Sequence, residues 1–461
     1  MRLSRAARFV RTQVAIPIGM MLALGACVFA SQSVAPLQVA LLFPVIYGLV
    51  VFSYGVISYG RVDPAVGANT LADGDLPFVS ILIPAHNEES VIGNTLQHVL
   101  RLNYPNFEVI VIDDHSSDRT SEVVRQFTAV KLIQRRNLPN RGKSEALNTG
   151  LEFAQGDILC VFDADSEMSP NFLREAVHPL VVDEKIAGTQ AQVRIYNRRE
   201  NILTASQDAE FGLYNEIVQI ARTRWSLGTA LGGNGQLTRR SAMEEVGGWN
   251  PGSLTEDLDL TVRLWLAGQG RIYHVTQAVV WQEGVTTLPG LIRQRQRWAE
   301  GMLRTYADFS LRLLTREDLP LKLRLDGYYA LFSAFLPFLT LVSLVIQGAA
   351  LIPGVITNAL PQPFGNVLSY SILTCAVVWS ITISWRRDRK IDPLPGLIYL
   401  VYLFHWVPSL IVALRNVFGD RVVVWAKTEH RGHSALASLP VETTAVSPLT
   451  AQPVGVGSDG R

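Results

Sequence analysis

Two aspartates, Asp163 and Asp165, directly follow an apolar run in the stretch ILCVFDADSEMSP at residues 158–170. In an extended chain residues i and i+2 point to the same side, so both carboxylates would converge where a strand ends. A divalent cation would relieve their repulsion, because hard oxygen ligands suit Mg²⁺ or Mn²⁺. The alternative is a solvated turn, since Asp and Ser favour turns. The pair alone leaves a metal site and a turn both open.

Acidic side chains also follow two earlier apolar runs. The run SILIPA leads into Asn87 and Glu88, and the run EVIVI leads into Asp113 and Asp114. Helical patterns separate the apolar runs, and this alternation predicts an α/β domain with a mostly parallel sheet and helices on both faces. Ligands of such sheets bind at the carboxyl ends of the strands. Acids at three strand ends therefore predict a site for a polar, metal-bound ligand.

The stretch Gly142-Lys143-Ser144 imitates the end of the phosphate-binding loop of nucleoside triphosphatases. That motif requires a glycine five residues before Gly142, where Asn137 stands, and no strand leads into a glycine-rich loop. The sequence therefore argues against this class of ATPase. Lys143 still opens a predicted helix, where an anionic phosphate would be favoured, close to the arginines Arg135, Arg136 and Arg141.

A pair of acids opens the predicted helix in SLTEDLDLTVRLWLAG. Ser253 and Glu256 have the spacing of a capping box, and Gly268 ends the pattern. Glu256 and Asp257 could simply complement the helix dipole. A carboxylate at this helix start could equally face the metal site and act as a general base.

A third motif lies on the long helical pattern LIRQRQRWAEGMLRTYADFSLRLL. Gln294, Arg297 and Trp298 are spaced i, i+3 and i+4 and therefore share a helix face. Arginine suits a diphosphate and tryptophan suits the face of a sugar. The apolar side of the same pattern suits a helix lying on a membrane surface, and an ordinary basic interfacial helix is the alternative.

Apolar runs long enough to cross a bilayer flank this middle region, at 14–30, 39–59, 328–353, 367–385 and 394–414. The first run could instead be a signal peptide, and the last could be a re-entrant element. Arginines before the first run and after the second predict a cytosolic middle domain. We therefore expect two transmembrane helices in 1–60, a cytosolic domain in 61–315 that ends in an interfacial helix, about three hydrophobic segments in 316–417, and a basic, then disordered tail in 418–461.

The composition narrows the possible partners. The 41 Lys and Arg residues balance 40 Asp and Glu residues, so net charge gives no case for a nucleic-acid partner. The three cysteines have neither a disulfide pattern nor zinc spacing. The apolar runs hold almost no ionisable residues, apart from His405, which argues against a transporter. A non-catalytic membrane scaffold remains the other non-enzymatic alternative.

The middle region resembles the membrane-integrated family 2 glycosyltransferases, which include cellulose, hyaluronan and poly-N-acetylglucosamine synthases. The resemblance covers about residues 77–305. It rests on four motifs in order, which are Asp113-Asp114, the pair Asp163 and Asp165, Thr255-Glu256-Asp257, and the set Gln294, Arg297 and Trp298. It implies a GT-A fold, a UDP-sugar donor, Mg²⁺ or Mn²⁺ as cofactor, and inversion at the transferred sugar.

The resemblance also implies a role for each residue on the donor side. Glu88, Asp113 and Asp114 would hold uracil and ribose, with Lys143 near the nucleotide. Asp165 would bind the metal, and Asp163 would support both the metal and the nucleotide-sugar.

On the acceptor side, the resemblance makes Asp257, beside Glu256, the general base for the acceptor hydroxyl. Arg297 would stabilise the leaving diphosphate, while Gln294 and Trp298 would contact the acceptor. The stretches GGNGQLTRR and EGVTTLPGLIRQRQRWAEG resemble especially the glucosyltransferases that make monoglucosyldiacylglycerol. We therefore expect a multi-pass plasma-membrane enzyme with a lipid acceptor. A processive polysaccharide synthase that extends a growing glycan is the alternative.

Overall fold

The computed structural model describes residues 50, 53–58, 71–136, 142–335, 339 and 402–419. The predicted apolar runs 14–30 and 367–385, most of the runs 39–59 and 328–353, residues 394–401 of the last run, and the tail 420–461 lie outside these residues, as do Asn137 and Arg141. Among the described helices, none combines the length and the apolar character needed to cross a membrane.

An eight-stranded sheet forms the centre of the described chain, in the order β3-β2-β1-β4-β7-β6-β8-β5. Its strands are β1 Val79–Ala85, β2 Phe107–Asp113, β3 Val130–Gln134, β4 Ile158–Val161, β5 Glu167–Met168, β6 Ile186–Ile195, β7 Gln236–Arg239 and β8 Arg271–Gln282. The first four strands are mutually parallel. β7 runs antiparallel to both β4 and β6, and β5 runs antiparallel to β8. Six of the eight strands run in one direction and β5 and β7 are reversed, so the predicted mostly parallel sheet is confirmed.

Eleven α-helices with both ends described accompany the sheet, and residues 53–58 are also helical. The eleven helices are α1 Ile92–Val99, α2 Thr120–Val124, α3 Lys143–Phe153, α4 Phe172–Val182, α5 Ile202–Gly212, α6 Ile220–Trp225, α7 Arg240–Glu245, α8 Glu256–Ala267, α9 Leu288–Thr315, α10 Leu321–Phe332 and α11 Trp406–Gly419. A π-helical segment, Leu213–Gln219, joins α5 to α6.

Helices cover both faces of the sheet, as the sequence predicted. Successive strand residues point to opposite faces. Ile81 therefore packs with Leu96 of α1 in one core, whereas its neighbour Leu82 packs with Leu147 of α3 in a second core. All four side chains are fully buried, and burial of such a side chain stabilises the fold by about 1.5–3 kcal/mol.

A third core holds α8, α9, α10 and α11 together beside the sheet. Leu303 of α9 lies in this core with Val262 of α8, Leu331 of α10 and Leu410 of α11. The long pattern that contains Gln294, Arg297 and Trp298 thus forms one 28-residue helix that is anchored to the sheet domain through α8.

The start of α8 differs from the prediction. The helix begins at Glu256 with Thr255 as its N-cap, and the Thr255 side chain makes no capping hydrogen bond. The expected capping box at Ser253 is therefore wrong, because Ser253 belongs to the preceding turn, where its N–H donates to the Asn250 carbonyl oxygen. The predicted end is confirmed, since Gly268 adopts the left-handed φ of 67° that glycine tolerates best.

Candidate active site

The two aspartates of the DADSE stretch lie in a turn. β4 ends at Val161, so the expectation that Asp163 and Asp165 share one face of an extended strand is wrong. Asp163 Oδ1 lies 2.7 Å from Lys143 Nζ at the start of α3. Asp165 Oδ2 accepts a 3.0 Å hydrogen bond from the Glu283 N–H after β8. The carboxylates therefore approach one edge of the sheet from a loop and bind partners on different elements.

Lys143 joins two of the predicted motifs. Its ammonium lies between Asp163 and Glu256, with the second ion pair at 2.9 Å. Burial by itself would lower the pKa of Lys143, but the two carboxylates outweigh burial and raise that pKa above its usual value. Lys143 therefore stays a cation at the end of the sheet, as a site for a negatively charged ligand requires.

Gly233 brings the backbone close to the ammonium group of Lys143 and to Asp257. Gly233 has φ +71°, and a Cβ at this position would lie 3.2 Å from Asp257 Oδ2 and 3.4 Å from Lys143 Nζ. The chain after Ala230 can pass this closely because glycine has no side chain. Lys143, Asp163, Glu256 and Asp257, which come from three separate motifs, are thus neighbours in the structure, and we call these four residues the acid–lysine cluster.

Asp257 has an unusual protonation equilibrium within the acid–lysine cluster. Burial, followed by the adjacent Glu256 charge, raises the pKa of Asp257 to about 7, and Lys143 opposes this rise. The Leu258 N–H donates to Asp257 Oδ1 at 2.8 Å and fixes the carboxyl at the start of α8. A carboxylate with a pKa near neutrality is well suited to take a proton from a hydroxyl, because general bases work best near the operating pH.

Asn234 organises the loop that carries the aspartates, and the sequence reasoning did not single it out. Its Oδ1 accepts from Ser166 Oγ at 2.8 Å and from the Asp163 N–H at 3.3 Å. Its Nδ2 donates to Gln282 Oε1 at 3.0 Å, which ties the loop to the end of β8. The glycines around Asn234 were the available signal in the sequence, since they mark a close backbone approach.

Asp113 and Asp114 lie at the same sheet edge and hold its loops together. Asp113 accepts from the Ser116 N–H at 2.9 Å and from the Ser121 hydroxyl. Asp114 accepts from Arg135 at 2.5 Å and from the Gly142 N–H at 2.7 Å. Both acids are buried, and Asp114 thereby anchors the start of α3 beside Lys143.

Glu88 lies at the end of β1 near these acids. It is buried, and its N–H donates to Thr120 Oγ1 at 2.7 Å at the start of α2. The preceding Asn87 and the neighbouring His115 have left-handed φ values of 56° and 62°, an uncommon conformation for side chains with a Cβ. The contacts of Glu88, Asp113 and Asp114 with uracil and ribose stay predictions.

The helix α9 passes directly against the start of α8. A Cβ at Gly301 would lie 2.5 Å from Thr255 Cγ2, so only glycine allows this approach without a shift. Gln294, Arg297 and Trp298 lie one to two turns before Gly301 on the same helix. Arg297 Nε is buried and has no hydrogen-bond partner among the described residues.

Arg295, which the sequence reasoning missed, is the fully buried member of the QRQRW stretch. Its guanidinium carbon lies 3.9 Å from the centre of the Trp298 ring, and its NH1 donates to Gln294 Oε1 at 3.1 Å. No sequence signal distinguished Arg295 from its neighbouring arginines, because its burial depends on α5 and α11.

The carboxylate oxygens at this edge suit a divalent cation that is bound partly by the protein and partly by a substrate. No group of three or more His, Cys, Asp or Glu side chains in the described residues converges as a complete metal site. Mg²⁺ commonly binds through one or two carboxylates together with substrate phosphates. Asp165 and the partly exposed Asp163 offer such a pair of hard oxygen ligands.

Comparisons with known proteins agree with this arrangement. A family model described as glycosyltransferase like family 2 matches residues 77–301. A beta-monoglucosyldiacylglycerol synthase from Nostoc sp. is 34% identical over 381 residues, with 78% of each chain covered. A poly-beta-1,6-N-acetyl-D-glucosamine synthase from Staphylococcus aureus is 31% identical over 233 residues, which cover 49% of this chain and 55% of that protein.

A solved structure is similar to the described fold. It is a mannosyltransferase from Pyrobaculum calidifontis in complex with GDP-Man and Mn²⁺, with a TM-score of 0.58 and 19% identity. The match covers 83% of this chain and 100% of the mannosyltransferase chain. At this identity the match concerns the fold alone, and it supports the GT-A type of fold that the sequence resemblance implied.

Proposed function

This chain belongs to glycosyltransferase family 2, and we propose that it transfers a hexose from a UDP-sugar to the hydroxyl of a membrane lipid such as diacylglycerol. The observation that carries this proposal is the acid–lysine cluster. It combines a cation, a partly exposed carboxylate and a half-buried carboxylic acid whose pKa is about 7 at the carboxyl edge of the sheet. Such a set can neutralise a diphosphate on one side and accept a proton on the other.

In the proposed reaction Asp257 takes the proton of the acceptor hydroxyl. The acceptor oxygen forms a bond to C1 of the sugar while the bond from C1 to the diphosphate oxygen breaks. The electron pair of that bond leaves with the nucleoside diphosphate, and attack from the opposite side inverts C1. Burial of Asp257 keeps its carboxyl weakly acidic, and the charges of Glu256 and Lys143 set the pH at which it becomes a base.

The donor diphosphate is proposed to lie at the edge formed by Lys143, Asp163 and Asp165. Lys143 remains protonated and attracts the negative charge. A divalent cation held by Asp165 and Asp163 would supply further neutralisation of charge that develops on the leaving group. Arg297, whose Nε has no hydrogen-bond partner among the described residues, is the proposed second cation for the diphosphate.

The lipid acceptor is proposed from the relatives and from the apolar runs of the sequence. The relative with 34% identity is a beta-monoglucosyldiacylglycerol synthase, and the chain covers 78% of it. The apolar runs at 14–30, 39–59, 328–353, 367–385 and 394–414 are long enough for membrane spans. On these grounds we propose a multi-pass plasma-membrane protein with its catalytic domain in the cytosol.

A processive polysaccharide synthase is the second candidate. It is favoured by the similarity to a poly-beta-1,6-N-acetyl-D-glucosamine synthase, which extends over 233 residues at 31% identity. As a polysaccharide synthase, this protein would use the same donor edge and the same base, because polymer and lipid acceptors both present a hydroxyl group. The two candidates differ only in what carries this hydroxyl.

The test uses the full chain in lipid micelles with diacylglycerol, Mg²⁺ or Mn²⁺, and one radiolabelled donor at a time. The donors are UDP-glucose, UDP-galactose, UDP-N-acetylglucosamine and GDP-mannose. Products are partitioned between chloroform and water, and Asp257→Asn serves as the inactive control. One discrete labelled species in chloroform, absent from the control, supports a lipid glycosyltransferase and identifies its sugar.

Other outcomes would reject the proposal in distinct ways. Label in a long water-soluble or precipitating chain would reject the lipid acceptor and favour the polysaccharide synthase. Unchanged transfer by Asp257→Asn would remove Asp257 from its role as the base. Activity that survives complete chelation of divalent cations would reject the metal at Asp163 and Asp165.

A further inference from the structure

A buried cluster of charged and aromatic residues surrounds the tryptophan of the QRQRW stretch. Glu210 at the end of α5 forms a 2.6 Å ion pair with Arg295, which is fully buried. The guanidinium carbon of Arg295 lies over the Trp298 ring, 3.9 Å from its centre. Phe211, the next residue of α5, contacts the edge of Trp298 at a centroid distance of 6.3 Å. Two adjacent residues of α5 thus hold Trp298, one directly and one through Arg295.

Glu210 also receives two hydrogen bonds from the C-terminal part of the described chain. Tyr402 donates to its Oε2 at 2.9 Å, and Trp406 donates to its Oε1 at 2.9 Å. Both carboxylate oxygens therefore accept hydrogen bonds, from α9 and from the C-terminal part of the described chain. The guanidinium carbon of Arg295 is also 5.5 Å from the centre of the Trp406 ring, so two indoles lie near this cation.

We propose that Glu210 is a positioning residue for acceptor binding, which acts through Arg295 to set the orientation of the Trp298 ring. This inference rests on the proposed function, in which Trp298 contacts the acceptor. Neither Glu210 nor Arg295 needs to touch a substrate in this arrangement. Their contribution is to place a cation against the ring of Trp298, which Phe211 contacts separately.

The energetics favour a positioning role over simple helix packing. A buried ion pair is weak evidence for stability, because desolvation of both charges offsets their attraction. Apolar residues of the same size would hold α5 and α9 together equally well. The planar guanidinium of Arg295, which Glu210 and Gln294 hold through separate hydrogen bonds, does what apolar residues cannot do, since a guanidinium is attracted to the face of an indole.

A second buried glutamate offers a matched control. Glu300 lies on α9 one to two turns after Arg295, is also buried, and accepts from Arg304 at 2.8 Å. Its other oxygen accepts from Asn416 of α11 at 3.0 Å. Glu300 therefore joins α9 to α11 with the same chemistry as Glu210, but its arginine partner is Arg304 and not Arg295, so loss of its charge disturbs packing without removing the carboxylate that holds Arg295.

The experiment compares Glu210→Gln, Arg295→Lys and Glu300→Gln in the full chain in lipid micelles. It measures the KM for the diacylglycerol acceptor, the KM for the donor, and the slow hydrolysis of the donor by water. We expect Glu210→Gln and Arg295→Lys to raise the acceptor KM by about tenfold, in line with the loss of a desolvated cation–π contact. The donor KM and donor hydrolysis should stay within about twofold of wild type, because the acid–lysine cluster is unchanged.

A double-mutant cycle tests the route through Trp298. In a Trp298→Phe background, Glu210→Gln should have no further effect on the acceptor KM, because the ring that it positions is gone. An effect of the same size in both backgrounds would overturn the proposal. An equal rise of the acceptor KM in Glu300→Gln would also overturn it, since general packing between α9 and α11 would then be the cause.

Tryptophan fluorescence, which needs no substrate, tests this inference independently of the proposed function. Tryptophan emission of Glu210→Gln should differ from wild type, and this difference should be lost when Trp298→Phe is present in both proteins. If wild type glycosylates no lipid, the proposed function fails, whereas the emission difference still supports the link from Glu210 to Trp298. If Glu210→Gln does not fold, Arg295→Lys gives the same comparison, and an unaltered emission spectrum in a folded variant overturns the proposal.

Discussion

The rate of sugar transfer should depend on pH through the ionisation of Asp257. Burial and the charge of Glu256 raise the pKa of Asp257 from its usual 3.8 to about 7. A carboxyl group acts as a base only when it is ionised, so activity should rise as the pH increases through about 7. A carboxylate with an ordinary pKa would be ionised throughout this range and would give a flat profile.

The size of the effect follows from the pKa. With a value of about 7, about one tenth of Asp257 is ionised at pH 6 and about nine tenths at pH 8, so kcat/KM should rise about tenfold between them. The rise from 3.8 to about 7 corresponds to about 4 kcal/mol against the charged form. Glu256→Gln removes one cause of this rise, so its profile should have an inflection at lower pH than that of wild type.

The assay is initial-rate transfer of labelled sugar to the acceptor at low acceptor concentration, in overlapping buffers of constant ionic strength from pH 5.5 to pH 8.5. Circular dichroism at each pH confirms that the protein remains folded. Asp257→Asn gives the background rate.

A wild-type profile that stays flat across this range would refute the reasoning, as would an inflection in Glu256→Gln at the same pH as in wild type. Either outcome would mean that the surroundings of Asp257 do not control the base. A profile that falls with pH would instead indicate a required acid.

Three further predictions concern other parts of the fold. Gly301→Ala should lower the free energy of unfolding by about 1–3 kcal/mol in urea, because its Cβ would lie 2.5 Å from Thr255 Cγ2. The same substitution should lower kcat by moving α9 away from the start of α8. Asp208→Asn should cost about 3–5 kcal/mol in the same assay, since it removes the charge that binds Arg194 through hydrogen bonds of 2.9 and 3.0 Å. Asp165→Asn should weaken Mn²⁺ binding, measured by electron paramagnetic resonance of the free ion in the presence of UDP, by about tenfold or more while thermal unfolding stays close to wild type.

Each of these three predictions would be contradicted by a specific result. A fully active and stable Gly301→Ala would show that the two helices are not in tight contact. An Asp208→Asn protein with an unchanged urea midpoint would mean that its ion pair with Arg194 contributes nothing to stability. Unaltered Mn²⁺ affinity in Asp165→Asn would place the metal elsewhere.

The first half of the sheet could be read from the sequence, whereas the second half could not. β1, β2 and β4 are continuous apolar runs that are buried on both faces, and this pattern is easy to recognise. β5 has two residues and β7 has four, and both run against their neighbours. Their short and partly polar sequences carry no strand period, and their direction depends on where the chain returns to the sheet.

Of the candidate site, the sequence supplied the chemical groups but not their pairing. It identified Lys143, Asp163, Glu256 and Asp257 from three motifs, because acids and lysine at the ends of strands and helices are conspicuous. It did not indicate that one ammonium joins Asp163 to Glu256, nor that Asn234 holds the aspartate loop. Those contacts join residues far apart in the chain, and local patterns carry no information about them.

The sequence by itself determined the strands and helices of the first half of the sheet, the edge of the sheet that carries the acids, and the family to which the chain belongs, because each of these follows from local residue types and spacing. Only the tertiary structure decided the charges around Asp257 and the burial of Arg295 against Glu210 and Trp298. A pKa depends on the distance to other charges and on the loss of water, and a buried ion pair depends on helices that meet only after folding. These quantities are set by packing in three dimensions, which is where the proposed reactivity of this enzyme arises.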